Sequence, residues 1–383
     1  MVPIHSFASV YGQIPPFPPA GSVWDDVPRG RSGRRKGWRV EDDQNRNGVT
    51  LALDAEGGDL APREIVAGAL EAASSALRVL LVGRPEVVEP ELAIGEGLPG
   101  RAFIEVVPSR TVISFHDEPA RAVRSQTDSS IVVGARTVAE GRSQGFISAG
   151  NTGAMLAAGL LVVKRVVGVK RPAILTVLPG MDGPVAFLDA GANADCRPEY
   201  LTEFAVMGAV FARRVLGIDE PRIGLLNIGE EDSKGSEMAR EAHRLLAEAQ
   251  LGFVGNVEGR ALLFNAADVV VSDGFTGNVA LKVMEGTAAS LMQRIRRIAS
   301  RDLRSKTGAA LLRPGLRELK AALDPEEYGG TYLLGVRGLV VICHGNSSRK
   351  AIANALRFGA EAVRRGVVEE VGAELSRILG RMA

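Results

Sequence analysis

From Val49 onward, short and nearly continuous apolar runs alternate with glycine-rich polar turns and with stretches of helical period. VTLALD (49–54), RVLLVG (78–83), FIEVV (103–107), FIS (146–148) and AILTVL (173–178) read as strands, as do the openings of VAFLDAGAN (185–193), RIGLLNIG (222–229), DVVVSDGFTGN (268–278) and LVVICHGNSS (339–348). Apolar side chains at successive positions imply strands covered on both faces. Helical spacing follows Pro62, placed at the first position of a helix that carries Ile65, Val66, Ala69, Leu70 and Ala73, and recurs over 130–141, 198–216 and up to Leu246. The repeated order of strand, turn and helix predicts an α/β fold: a three-layer, mostly parallel sheet with helices on both faces. Turns at the carboxyl ends of such strands are expected to face one crevice, which is where the ligand site should lie.

The turn at the centre of this pattern is FISAGNTGA (146–154). Ser148 ends the strand, Ala149, Gly150 and Gly153 let backbone N–H groups approach a ligand, and Asn151 or Thr152 can cap the helix of Met155, Leu156, Leu160 and Leu161. Phosphate is the natural guest of such a turn. DGFTGN (273–278) offers a second, with Asp273 to orient a neighbour and Gly274, Thr276, Gly277 and Asn278 around an anion. HGNSSRK (344–350) brings His344, Ser347, Ser348 and Lys350, suited to a phosphate or to the oxyanion of a carbonyl. Arg260 in GNVEGR suits phosphate or carboxylate, and a surface ion pair with Glu258 accounts for it equally well. Each turn alone also has the plainer reading of a tight connection.

Two stretches break the rhythm. Residues 282–324 read as two helices joined near 306–308, with Met284, Leu291, Met292, Ile295, Ile298 and Leu303 interleaved with Arg294, Arg296, Arg297, Arg301 and Arg304. They form either a helix pair packed on the domain or a dimer partner, or an amphipathic hairpin on an anionic bilayer, where each basic residue contributes about 1 kcal/mol. Residues 1–47 hold Pro15, Pro16, Pro18 and Pro19, then Arg29, Arg31, Arg34, Arg35 and Lys36, and are expected to form a disordered Pro/Arg-rich extension before a catalytic domain at 48–383. Asp25, Asp26, Glu41, Asp42 and Asp43 dilute its basic charge, and initiation near Val49 is the alternative expectation.

Composition narrows the function classes. With 383 residues and 46% hydrophobic content, the chain has enough apolar material for a large core. A net charge of +1, four Tyr and two Trp give no pull toward nucleic acid. Cys196 and Cys343 imply a reducing, cytoplasmic setting without a disulfide framework, and no Cys/His spacing suggests a metal. No apolar run reaches the roughly 18 to 20 residues of a spanning helix. GEEDSKGS (229–236) imitates a phosphate-binding loop, but Lys234 precedes the second glycine and three acids crowd the turn. EGGD (56–59) lacks the spacing of a dinucleotide fingerprint. No cofactor is implied.

Taken in order, LDAEGGD, ISAGNTGAMLAAGLL, LDAGANADCRPEYLTEFAVMG, RIGLLNIGEEDSKGSE, FVGNVEGR, VVVSDGFTGNVALK and EYGGTYLLGVRGLVVICHG resemble the PlsX family of bacterial phosphate acyltransferases, from about Val49 to about Val363. Glu56 stands where that family usually has Met. The resemblance implies a fold similar to isocitrate and isopropylmalate dehydrogenases and to phosphotransacetylase, with a protruding amphipathic hairpin, in a homodimer. It implies transfer of a fatty acyl group from acyl carrier protein to inorganic phosphate, the acyl phosphate passing to a membrane glycerol-3-phosphate acyltransferase. Since phosphate is a competent nucleophile and a thioester expels a stable thiolate, orientation and oxyanion stabilisation suffice. Phosphate is then assigned to the 151–153 and 273–278 turns, and His344 and Lys350 to the thioester carbonyl. RSQTDSS (124–130) is poor in basic residues, so the acidic carrier would dock on Arg121, Arg124 or the hairpin; Leu291, Met292, Arg294, Ile295, Arg297 and Arg301 are the expected carrier or membrane contacts. The rival readings are a phosphotransacetylase-like enzyme using acyl-CoA, a dehydrogenase of the related fold, and a non-catalytic membrane-associated scaffold.

Overall fold

The structure is a computed structural model and describes residues 48–322 and 325–382. The expected extension at 1–47 lies outside the described residues. Among the described residues, eleven strands form one sheet: β1 (Val49–Asp54), β2 (Leu77–Gly83), β3 (Ile104–Pro108), β4 (Gly145–Ser148), β5 (Ala173–Gly180), β6 (Gly183–Leu188), β7 (Ile223–Asn227), β8 (Phe253–Glu258), β9 (Val269–Val271), β10 (Thr331–Leu334) and β11 (Leu339–Ile342). Their order across the sheet is β3-β2-β1-β4-β11-β10-β5-β6-β9-β7-β8. The helices are α1 (Arg63–Ala72), α2 (Pro85–Ile94), α3 (Pro119–Ser125), α4 (Ser130–Ala139), α5 (Thr152–Ala158), α6 (Pro198–Arg214), α7 (Glu237–Glu248), α8 (Gly274–Ser300), α9 (Leu303–Ala322), α10 (Arg349–Arg364) and α11 (Val367–Met382).

The apolar runs are strands because both faces are covered. Alternate side chains of one strand go to different layers: Leu51 and Leu53 belong to the buried cluster that also holds Ile65, Phe204, Leu356 and Leu375 of α1, α6, α10 and α11, while Ala52 belongs to the one that holds Ile131 and Met155 of α4 and α5. The same division recurs in β11, where Val341 faces the first layer and Val340 the second. Burying each such side chain stabilises the fold by roughly 1.5–3 kcal/mol.

Direction is where the expectation needs correcting. Strands β3, β2, β1, β4 and β11 run parallel, and so do β6, β9, β7 and β8, but β10 is antiparallel to both β11 and β5, and β5 is antiparallel to β6. The two reversals made by β10 cancel, and the tight β5–β6 hairpin at Met181 and Asp182 leaves one over. The two parallel blocks therefore point opposite ways, and their carboxyl-end turns lie at opposite ends of the sheet instead of around one crevice.

Smaller corrections concern helix ends. Pro62 is the N-cap of α1, not its first residue. The two helices of 282–324 meet at Arg301 and Asp302, where Asp302 Oδ1 accepts from Ser305 N at 2.8 Å, and 306–308 lie inside α9. Along α8 only Gly274 and Gly277 are buried, and Ala280, Leu281 and Met284 are the last residues packed against the core.

Candidate active site

Strands β1, β4 and β11 are neighbours and parallel, so their carboxyl-end turns are brought together by the ladder itself. Three tight contacts join them. Cys343 N donates to Ser148 O at 2.9 Å, Asp59 N donates to Gly345 O at 2.6 Å, and the Ser148 hydroxyl donates to Asp54 Oδ2 at 2.7 Å. Ser148 Oγ in turn accepts from Gly150 N at 2.9 Å, and Asp54 Oδ1 from Glu56 N at 3.1 Å. The glycines here are demanded by space: a Cβ on Gly57 would sit 2.5 Å from Asp54 Oδ2 and 2.7 Å from Ser148 Oγ, and Gly58 combines a φ of +104° with a Cβ position 2.8 Å from Gly345 O.

Asp54 and Ser148 are fully buried, so Ser148 supports the turn from beneath and is not the phosphate contact expected of it. Burial pushes the Asp54 carboxyl above its ordinary range, while Ser148, the adjoining Ser130 hydroxyl and the Glu56 amide work against that shift. Glu56 accepts from Arg84 through N (2.8 Å), Nε (2.9 Å) and Nη2 (2.7 Å), which fastens the 56–59 turn to the start of α2. Asn151 caps α5, accepting from Ala154 N at 3.0 Å, and its Nδ2 donates to Ser114 O at 3.0 Å, so its side chain holds the turn to the loop after β3. That loop sets Phe115, 52% exposed, against Gly345. Thr152 is exposed and Gly153 half-buried against Pro119 of α3, whose Arg121 and Arg124 are exposed on the rim of the same turn.

His344 is exposed beside these turns and Ser347 is buried. The start of α10 is fastened by carboxylates. Glu64 accepts from Arg349 N (2.9 Å) and Nη2 (2.7 Å), Glu326 accepts from the Ser348 hydroxyl (2.9 Å), and Glu327 pairs with Lys350 Nζ at 2.6 Å. The Arg349 contacts hold the Glu64 carboxyl down at about 2. Lys350 is thus an ion-paired rim residue, not a cation directed into the turns.

The 273–278 turn is elsewhere. It follows β9 and lies at the opposite end of the sheet from Ser148 and His344. Asp273 Oδ1 caps α8 through Thr276 N (2.8 Å), Gly274 N donates to Asn193 O (2.8 Å), and Asn278 Nδ2 donates to Ala190 O (3.0 Å). A Cβ on Gly277 would sit 2.0 Å from Asp189 O. These residues are explained by packing α8 onto the 189–193 loop, and the structure does not bring them to the central turn. Arg260 likewise pairs with Glu258 on the surface.

Cysteine chemistry is discouraged by burial, which pushes the Cys343 thiol up to about 12 and, at Cys196, to about 11. Leu291, Arg294 and Arg297 of α8 and Arg301 just after it are exposed, with Met292 and Ile295 half-buried. Asp54, Glu56 and Arg84 lie outside the set of expected site residues. The signal that could have found Asp54 is the repeated LDA: an acid closing an apolar strand in both LDAEGGD and LDAGANAD.

Comparison with known proteins supplies the remaining constraint. Residues 49–370 match a family described as "Fatty acid synthesis protein". A phosphate acyltransferase of Moorella thermoacetica is 48% identical over 325 residues, covering 85% of this chain and 95% of that protein. A phosphate acyltransferase of Desulfitobacterium hafniense is 48% identical over 332 residues, covering 86% and 98%. Among solved structures, a phosphotransacetylase from Streptococcus pyogenes is similar in fold, with TM-score 0.57, 17% identity, and coverage of 83% of this chain and 94% of that one. A Staphylococcus aureus phosphotransacetylase has TM-score 0.54, 19% identity and coverage of 82% and 94%.

Proposed function

We propose, from the premise that this chain belongs to the fatty acid synthesis protein family of phosphate acyltransferases and is itself an acyltransferase, that the crevice at the ends of β1, β4 and β11 transfers a fatty acyl group from acyl carrier protein to inorganic phosphate. A phosphate oxygen attacks the thioester carbonyl; the C–O bond forms, the C–S bond breaks, and the thiolate leaves with the acyl phosphate as product. The observation that carries this reading is the convergence of three glycine-rich turns locked together through Asp54, Ser148 and Gly345. Such a site supplies position and backbone donors, which is what a competent nucleophile and a good leaving group require.

In this reading phosphate rests on the backbone from Asn151 to Gly153 with the Thr152 hydroxyl. Asn151 holds the turn, and Ser347 supports it from the neighbouring one. His344, exposed at the mouth, faces the thioester carbonyl. Lys350 joins only by exchanging Glu327 for the substrate. Asp273, Gly274, Thr276, Gly277 and Asn278 take no part within one chain.

The carrier docks at the rim beside Arg121 and Arg124. Helices α8 and α9 form the projecting hairpin. Helix α8 packs against the core only as far as Met284, which leaves its remainder free for such a contact. There Leu291, Met292, Ile295 and the arginines meet an anionic membrane surface, where a glycerol-3-phosphate acyltransferase receives the product. No described helix is long and apolar enough to cross a membrane; in this reading the contact is peripheral, made from the cytoplasm by a homodimer of the dehydrogenase-like domain at 48–383.

The decisive experiment is phosphate-dependent release of free carrier protein from palmitoyl-carrier protein, run beside palmitoyl-CoA. Turnover with the carrier is expected, and Asn151→Ala and His344→Ala are expected to lower it at least tenfold. Turnover with palmitoyl-CoA alone would replace the donor; silence with both from folded protein would overturn the reading.

A further inference from the structure

A carboxylate removed from water is costly unless donors surround it. Asp189 meets that requirement in full, accepting from Ile174 N, Gly191 N, Ala192 N, Asn193 N and Asn193 Nδ2 at 2.7–3.1 Å. Asp54, equally buried, does not. It accepts from the Glu56 amide and the Ser148 hydroxyl, and the nearby charge is another carboxylate, Glu56, already held by Arg84. Neither Asp54 nor Ser148 reaches solvent, so neither touches substrate.

We infer that Asp54 is a positioning residue which acts through Ser148 to set the phosphate-binding turn. This rests on the phosphate reading above. Asp54 Oδ2 accepts the serine hydroxyl, which leaves the Ser148 oxygen lone pairs facing the Gly150 amide and fixes that peptide plane at the entrance of the 149–153 turn. The 56–59 turn closes on the same pair, since the Cβ position of Gly57 lies within 2.8 Å of Asp54 Oδ2, Ser148 Oγ and Gly150 N together. One buried hydrogen bond thereby sets two of the three turns. A misdirected amide weakens phosphate binding without removing any group from the reacting atoms.

The test uses Asp54→Asn, Ser148→Ala and Ser148→Thr in the full chain, with two readouts: the kinetic constants for phosphate, and the thermal shift produced by inorganic phosphate alone. In Asp54→Asn the amide cannot accept from both the serine and the Glu56 amide as the carboxyl does. Asp54→Asn and Ser148→Ala are expected to raise KM for phosphate about tenfold or more, with kcat within about threefold. Ser148→Thr, which keeps the hydroxyl, is expected to restore most of what Ser148→Ala loses, and the double variant to lose less than the product of the two single losses. If Asp54→Asn fails to fold, the alanine and threonine pair decides alone. Unchanged KM in a folded Asp54→Asn, or a threonine no better than alanine, would overturn the inference. Absence of any phosphate shift or turnover in the unsubstituted protein would instead overturn the reading beneath it.

Discussion

The two ends of the sheet carry closely similar words and do different work. At one end LDAEGGD meets ISAGNTG across β1 and β4; at the other LDAGAN meets VSDGFTGN across β6 and β9. Both place a buried aspartate where an apolar strand stops. At the β6 end the chain turns its own amides onto Asp189, and Asn193 accepts from the amide of Gly274, so that the glycines let α8 sit close. At the β1 end the aspartate meets a hydroxyl, which itself accepts from the amide of Gly150. The difference teaches that one local sequence pattern can hold a buried aspartate either with the amides of its own loop or with a hydroxyl from the neighbouring strand.

The comparison breaks most visibly at its glycines. Gly277→Ala would force a Cβ to within 2.0 Å of Asp189 O, and is expected to cost about 3 kcal/mol of stability in urea unfolding while phosphate kinetics stay unchanged. Gly57→Ala intrudes on Asp54 and Ser148 instead, and is expected to lower kcat/KM for phosphate about a hundredfold with a smaller loss of stability. If the two substitutions exchanged outcomes, the assignment of ends would be wrong.

Smaller effects sharpen the rim. Lys350 and Glu327 are each nearly half exposed, so Lys350→Met and Glu327→Gln are expected to change stability by less than about 1 kcal/mol; a loss of kcat beyond about threefold in Lys350→Met alone would return the lysine to the reacting centre. The smallest effect concerns Glu64, whose carboxyl drops from 4.5 to about 2 on pairing with Arg349. A lowered folded value gives stability that is full above pH 4.5 and fades as pH falls toward 2. Acid titration of stability should therefore flatten over that window in Glu64→Gln, by less than about 1 kcal/mol because the pair is close to solvent.

Much of the fold is legible in the sequence because apolar runs, prolines and glycines report local backbone demands. Strand positions at 49–54, 78–83 and 173–178 follow from continuous apolar runs, and the central turn from its strand and its cap at Asn151. Direction is harder: periodicity says which face a side chain takes, not which way its strand points. The signal for the reversal lies in a length, since the few residues between AILTVL and VAFLD cannot hold the crossover that parallel neighbours need. Composition cannot separate Gly57 from Gly277, since both are glycines required by close approach and only the neighbours differ. The joint at Asp302 escapes a sequence reading because Gly308 looks like the stronger breaker, whereas an aspartate that caps Ser305 starts the second helix.

The placing of β10 and β11 has a consequence for the order in which the molecule is made. These strands come from residues 331–342 and lie between β4, from 145–148, and β5, from 173–180. During synthesis the two flanking strands face a gap until residues 331–342 have left the ribosome. Closure of that gap is a long-range event, slow in comparison with the helix and strand pairings on either side. The turn that carries His344 and Gly345 follows directly on this late segment. The sheet therefore becomes continuous only in the step that inserts the last two strands to be made.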